Sequence, residues 1–178
     1  MSMKTSFAYA SAWMFAASVS FAQFVSPPAE TSVTIDGKAL SVKYSAPSVH
    51  GRKIFGPGGR ISEDGTYPVW RAGANDATAF HTDADLDVGG LAVHKGDYTL
   101  FVLVSDPDHW KLIINQQTGQ WGLTYSQARD LGRVNMTMSK PSAKVETFKI
   151  TLSKTGAKDG KLEMAWDNYA ASVPIKVK

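Results

Sequence analysis

The chain has no cysteine among its 178 residues. That absence removes disulfides, thiolate nucleophiles, Cys-ligated zinc, iron–sulfur clusters and Cys-linked lipidation from consideration. A strong excess of one charge is missing too: 19 Lys and Arg stand against 16 Asp and Glu, a formal net charge of +3. The basic residues are scattered, so no cationic stripe follows a phosphate backbone and a nucleic-acid partner is not expected. Beyond the N-terminal region no apolar run is long enough to span a bilayer. Nor is the chain poor in apolar residues, as a disordered one would be. Its 43% hydrophobic and 11% aromatic content suffices for one buried core. Without disulfides that core alone must hold the domain, which is feasible at this length.

Residues 1–22 differ in character from the rest. One Lys (Lys4) precedes an apolar stretch through Phe7, Trp13, Met14, Phe15 and Val19, with no acidic residue. This is the layout of a secretory signal peptide, and Ser20 and Ala22, separated by Phe21, supply its small-residue cleavage signature. Cleavage is expected after Ala22, leaving a mature chain from Gln23, with no membrane span, bound for the periplasm or the extracellular space. Ser11, Ser18 and Ser20 interrupt the apolar run, which argues against a retained anchor.

The remainder reads as short strands. Val33 to Ile35 and Ala39 to Tyr44 flank Asp36-Gly37, a strong hairpin signal because both central positions of such a turn need positive φ. Thr78 to Thr82, Leu86 to Val88 and Leu91 to Val93 follow, the last two joined at Gly89-Gly90. Tyr98 to Val104 is apolar on both faces, so it is read as a central strand buried on both sides, answered by Trp110 to Asn115. Val134, Met136 and Met138 alternate with polar residues, as do Phe148, Ile150 and Leu152, and Leu162, Met164 and Trp166. Val173 to Val177 reads as a short edge strand with Pro174 near its start. Only Ser126 to Asp130 suggests a helical turn, with Ser126 as N-cap. Some nine strands and scarce helix predict an all-β antiparallel sandwich or jelly-roll-like fold, in one domain over residues 23–178.

Six segments resemble, in order, a family of secreted bacterial proteins known only as a domain of unknown function. They are Tyr44 to Gly56, Trp70 to Thr78 (Trp-Arg-x-Gly-Ala-Asn-x-Ala-Thr), Gly96 to Phe101, Trp110 to Asn115, Trp121-Gly122 and Tyr125. The resemblance covers nearly all of the chain after the N-terminal region. It implies a secreted or periplasmic, mostly β domain with no established activity. One departure stands out: the family's short apolar approach to the Trp-Arg motif is replaced by Gly58 to Thr66, a polar loop.

Catalytic constellations are scarce. The four histidines, His50, His81, His94 and His109, show no metal-binding spacing, although His81 and Asp83 share one face of a strand. No metal and no cofactor is expected. A nucleophile elbow is absent, and Glu63, Asp64, Asp76, Asp106 and Asp108 sit where carboxylates serve turns. The better cluster is Arg52, Lys53, Trp70, Arg71, Asn75, Asn115, Trp121 and Tyr125, which combines guanidinium forks, amides and flat rings of the kind that orient a small polar ligand. Arg71 and Asn75 are its strongest members, because Gly73 and Ala74 between them let backbone approach closely. A structural origin competes: Arg71 could be buried against Asp76 or Asp167, and Trp70 and Trp121 could be core. Trp110, Trp166 and the three methionines read as core.

These residues favour a binding module for a small polar molecule or carbohydrate. Two alternatives stand beside it. One is an exported hydrolase or isomerase of a small anionic molecule, using Arg71 for recognition and His81 or Asp83 for proton transfer. The other is an envelope assembly factor working through a sheet edge.

Overall fold

The computed structural model describes residues 26–178, so the expected signal peptide and its cleavage site lie outside the described residues. Thirteen strands form two antiparallel sheets packed face to face. β1 (Pro28–Ile35) and β2 (Lys38–Ser45) make the expected hairpin. Asp36 and Gly37 turn it at φ 50° and 72°, the left-handed pair that a two-residue loop between right-twisted strands requires. β4 (Thr78–Thr82), β7 (Gly96–Leu103), β8 (Lys111–Asn115) and β9 (Asp130–Asn135) extend this first sheet in the order β1-β2-β4-β7-β8-β9. The two-residue β3 (Val69–Trp70) pairs with the end of β7.

The second sheet runs β11 (Val145–Lys154), β12 (Asp159–Asp167), β13 (Tyr169–Val177), β5 (Leu86–Val88) and β6 (Leu91–Val93), with β10 (Thr137–Ser139) also paired to β13. Inward-facing alternate residues of both sheets fill one core: Leu100 and Val102 of β7 meet Phe148, Ile150, Leu162 and Met164 of β11 and β12. An aromatic cluster occupies one end of it. Trp70 stacks on Trp166 at 5.7 Å and meets Phe148 edge-on at 4.9 Å, and Phe55 lies 4.8 Å from Trp110. Each such pair contributes about 0.5–1.5 kcal/mol beyond its buried area.

β7 is buried on both faces, as its continuous apolar run requires. Phe101 points away from the main core into a small second cluster with Val69 and Ile113, under Tyr125. At the seam between the sheets, side chains satisfy the edge of β11: Ile150 N–H donates to the Tyr44 hydroxyl at 3.0 Å and Leu152 N–H to Thr31 Oγ1 at 3.2 Å.

Three strand-level expectations are corrected. The Arg133 to Met138 alternation is not one strand, because β9 pairs with β8 in the first sheet and β10 with β13 in the second. The chain changes sheets at Met136, whose N–H bonds the Trp110 carbonyl at 2.9 Å, and period two survives the crossing because both segments face the same core. The C-terminal strand is neither short nor at an edge: β13 spans nine residues and lies between β12 and β5. Pro174 is tolerated because it falls in the gap between the β10 and β5 partners, where the ladder needs no donor. The helical turn is a single 3₁₀ turn, Gln127–Arg129, and Ser126 makes no side-chain cap.

Candidate functional site

The Trp-Arg motif bends sharply after β3. Ala72, Gly73 and Asn75 take φ values of 52°, 154° and 59°, and the bend is pinned from several sides. The Trp70 indole N–H donates to the Gly73 carbonyl at 3.1 Å, and the Thr78 hydroxyl to the Ala72 carbonyl at 2.7 Å. Ala74 N–H donates to the Ser45 carbonyl at 3.2 Å. Trp70 therefore goes fully into the core, while Arg71, next in sequence, emerges on the other side.

Gly122 lies against Arg71. A Cβ there would stand 2.1 Å from Arg71 Cδ and 2.4 Å from the Asn75 carbonyl oxygen, so this position admits only glycine while Arg71 holds its place. The approach is fixed by Gly122 N–H bonding that same carbonyl at 3.0 Å and by a bridge between Asp76 and Trp121. Two motifs more than forty residues apart thus close on one guanidinium.

The result is a cavity of about 350 Å³ to which six segments contribute, with Arg52, Asp64, Arg71, Asn75, Trp121 and Trp166 among its walls. The Arg71 side chain is only 11% exposed. Among the described residues its one acidic neighbour is Asp64, with Nη2 to Oδ2 at 3.4 Å and the Asp64 side chain 7% exposed, and its buried Nε and Nη1 have no acceptor. Burial lowers the guanidinium's proton affinity from its ordinary value, and Asp64 only partly offsets that. Arg60 stands 3.1 Å from Glu63 and 3.8 Å from Asp64. Trp121 is the exception among the tryptophans of the described fold: it is 51% exposed, while Trp70, Trp110 and Trp166 are at 3% or below.

Of the eight residues grouped from the sequence, Arg52, Arg71, Asn75 and Trp121 line this cavity. Arg52 donates from Nε and Nη2 to the Val49 and Ser48 carbonyls at 3.1 and 2.6 Å, bracing the loop after β2. Asn75 reaches the Ser45 hydroxyl at 3.4 Å. The other four lie elsewhere. Trp70 is core, and Lys53 Nζ donates to the Pro57 carbonyl at 2.5 Å. Asn115 is buried and ties the Ser126 carbonyl to the Asp130 carboxylate at 3.0 and 2.9 Å. Tyr125 donates to that carboxylate at 2.7 Å, and burial first, then Asp130, pushes its phenol up to about 12.

His50, Arg60 and Asp64 also line the cavity; sequence reasoning set His50 aside for want of metal-binding spacing and Asp64 as a turn carboxylate, and did not single out Arg60. The polar loop that departs from the family pattern holds a 3₁₀ turn, Arg60–Glu63, and the partner of Arg71 is Asp64 rather than Asp76 or Asp167. The only available signal was three charged residues within five positions of that loop. The pairing itself depends on how the loop returns over the Trp-Arg bend.

His81 is held between two carboxylates, Nδ1 to Asp97 at 2.7 Å and Nε2 to Asp83 at 3.0 Å. These hydrogen bonds raise its pKa. His81 and Asp97 border a different cavity, which shares no residue with the one at Arg71. Among the described residues no group of three or more His, Cys, Asp or Glu could hold a metal ion, and no helix is long and apolar enough to cross a membrane.

Fold and site together define a class: a cysteine-free β-sandwich with one polar, aromatic-rimmed cavity built around a buried arginine. More particularly, the chain belongs to the family described as Protein of unknown function (DUF2911), whose model matches residues 26–175. No curated protein and no solved structure shows a significant match to the chain.

Proposed function

We propose that this protein is a binding module, exported to the periplasm or the extracellular space, that takes a small polar molecule into the cavity at the Trp-Arg motif. The observation carrying this reading is Arg71, a guanidinium in a cavity wall with two buried N–H groups and no acceptor for either among the described residues. Such donors cost about 1–3 kcal/mol each when left unmatched, and a ligand that supplies acceptors recovers that energy on binding. The cavity's volume of about 350 Å³ falls at the small end of the range for small-molecule sites. Export follows from the N-terminal sequence, and the mass of the protein recovered from the envelope or the medium tests it directly: cleavage after Ala22 leaves a chain beginning at Gln23.

A thermal-shift screen against sugars, organic anions, nucleotides and divalent metals tests the binding. A ligand at a hundredfold excess over its Kd stabilises by about 2.7 kcal/mol, and the shift should vanish in Arg71→Met. A complete screen without a shift, or a shift that Arg71→Met leaves intact, would reject the assignment. The exported-enzyme alternative called on Arg71 together with His81 or Asp83; neither of the last two lines the cavity at Arg71, and His81 borders a different one, which speaks against that reading.

A further inference from the structure

We infer that the ligand is a neutral polyhydroxylated ring, a monosaccharide or the terminal unit of an oligosaccharide, with hydroxyls between Arg71 and Asp64 and a C–H face on Trp121. This rests on the binding reading above and narrows it to one chemical class.

The argument begins with what the walls leave unmatched. Among the described residues, Arg71 has donors without acceptors at Nε and Nη1. Beside it, the Asp64 carboxylate, an acceptor only, has its nearest cationic nitrogens at 3.4 and 3.8 Å, beyond the usual length of a charge-assisted hydrogen bond. A ligand group set between them must accept from one and donate to the other. A hydroxyl does both, with one O–H and two lone pairs. A carboxylate or phosphate offers acceptors alone and would face the charge of Asp64, and an ammonium offers donors alone and would face Arg71.

Arg60 is paired with Glu63 and Arg71 with Asp64, and Arg52, on the same wall, adds a further positive charge held against the Val49 and Ser48 carbonyls, so the choice between a neutral and an anionic ligand rests on the donor and acceptor pattern at Arg71 and Asp64. Asn75, on the same wall, adds an amide that both donates and accepts.

Trp121 supplies the remaining contact. A half-exposed indole on the wall of a polar cavity presents a flat apolar face, which suits the C–H face of a sugar ring. The room is also appropriate: about 350 Å³ holds roughly a dozen waters at about 30 Å³ each, enough for one or two rings.

Calorimetric titration of the full chain tests the class. The probes are glucose, galactose, N-acetylglucosamine and cellobiose on the neutral side, and acetate, benzoate and inorganic phosphate on the anionic side. The expected result is binding of at least one neutral sugar with an affinity that hardly changes between low and high salt. Trp121→Ala should weaken it about tenfold while leaving the melting temperature of the free protein unchanged, since that ring is half in solvent. Asp64→Asn should weaken it as well.

Binding by anions alone, falling as salt rises, would overturn the sugar assignment and leave the cavity standing as a small-molecule site. Sugar binding indifferent to both Trp121→Ala and Asp64→Asn would place the sugar elsewhere and overturn the inference. If no probe of either kind bound, the binding reading itself would fall with it.

Discussion

Arg71 and Asp64 offer a direct test of whether the site is kept for stability or for a ligand. Replacing both, as Arg71→Met with Asp64→Asn, removes two buried donors without acceptors and a pair whose closest approach is 3.4 Å. Each orphaned donor costs about 1–3 kcal/mol, against a partial return from Asp64. Buried ion pairs replaced by groups of similar shape are often neutral or gain about 1–4 kcal/mol. Methionine follows the unbranched stem of arginine and adapts to irregular space. The double variant should therefore be as stable as the parent or more so by about 1–3 kcal/mol, equivalent to a rise of roughly 2–12 °C in melting temperature for a domain of this size. Arg71→Met alone should be less stable than the double variant, because it leaves Asp64 with only Arg60 at 3.8 Å. Calorimetry and urea unfolding in ligand-free buffer measure both. A loss of 3 kcal/mol or more in the double variant, at the scale of a broken structural ion pair, would show that the guanidinium holds the fold and would refute the functional argument.

Gly122→Ala should cost about 1–3 kcal/mol by overpacking against Arg71 Cδ and the Asn75 carbonyl, and it should abolish ligand-induced stabilisation; denaturant midpoints with and without ligand measure both effects. His81 is raised above its usual 6.5 by hydrogen bonds to Asp83 and then Asp97. Its contribution is therefore fully present below pH 6.5 and lost as pH rises through the folded-state value. Stability curves of the parent should show a shallow decline over that window, and His81→Gln should flatten it. Tyr125 should ionise near pH 12 in an ultraviolet titration, and Tyr125→Phe should remove that late step. The same variant should cost about 1 kcal/mol for the lost hydrogen bond to Asp130.

Much of the fold was legible because strand signals are local. Asp36-Gly37, set between two alternating segments, signals a left-handed hairpin turn, and Thr78 to Thr82 alternates with period two whatever lies across the sheet. Misreadings came where partnership, and not conformation, decides. Residues 133–138 look like one strand because both sheets draw on the same alternating pattern, and β13 looks like an edge because Pro174 removes a donor that only its missing neighbour would have used. In the candidate site, residue types were readable and positions were not. Arg71, Asn75 and Trp121 stood out as chemistry, but so did Trp70, Asn115 and Tyr125, which serve the core and the loop that ends at Asp130.

The amino-acid sequence by itself determined an all-β, disulfide-free domain and put the Trp-Arg motif at its centre of interest, because period, turn chemistry and composition are properties of neighbouring residues. Only the tertiary structure decided which ring stays in solvent, that Asp64 is the partner of Arg71, and that Gly122 closes over it. Those facts depend on loops distant in sequence arriving at one place, and that arrival is set by the packing of two sheets.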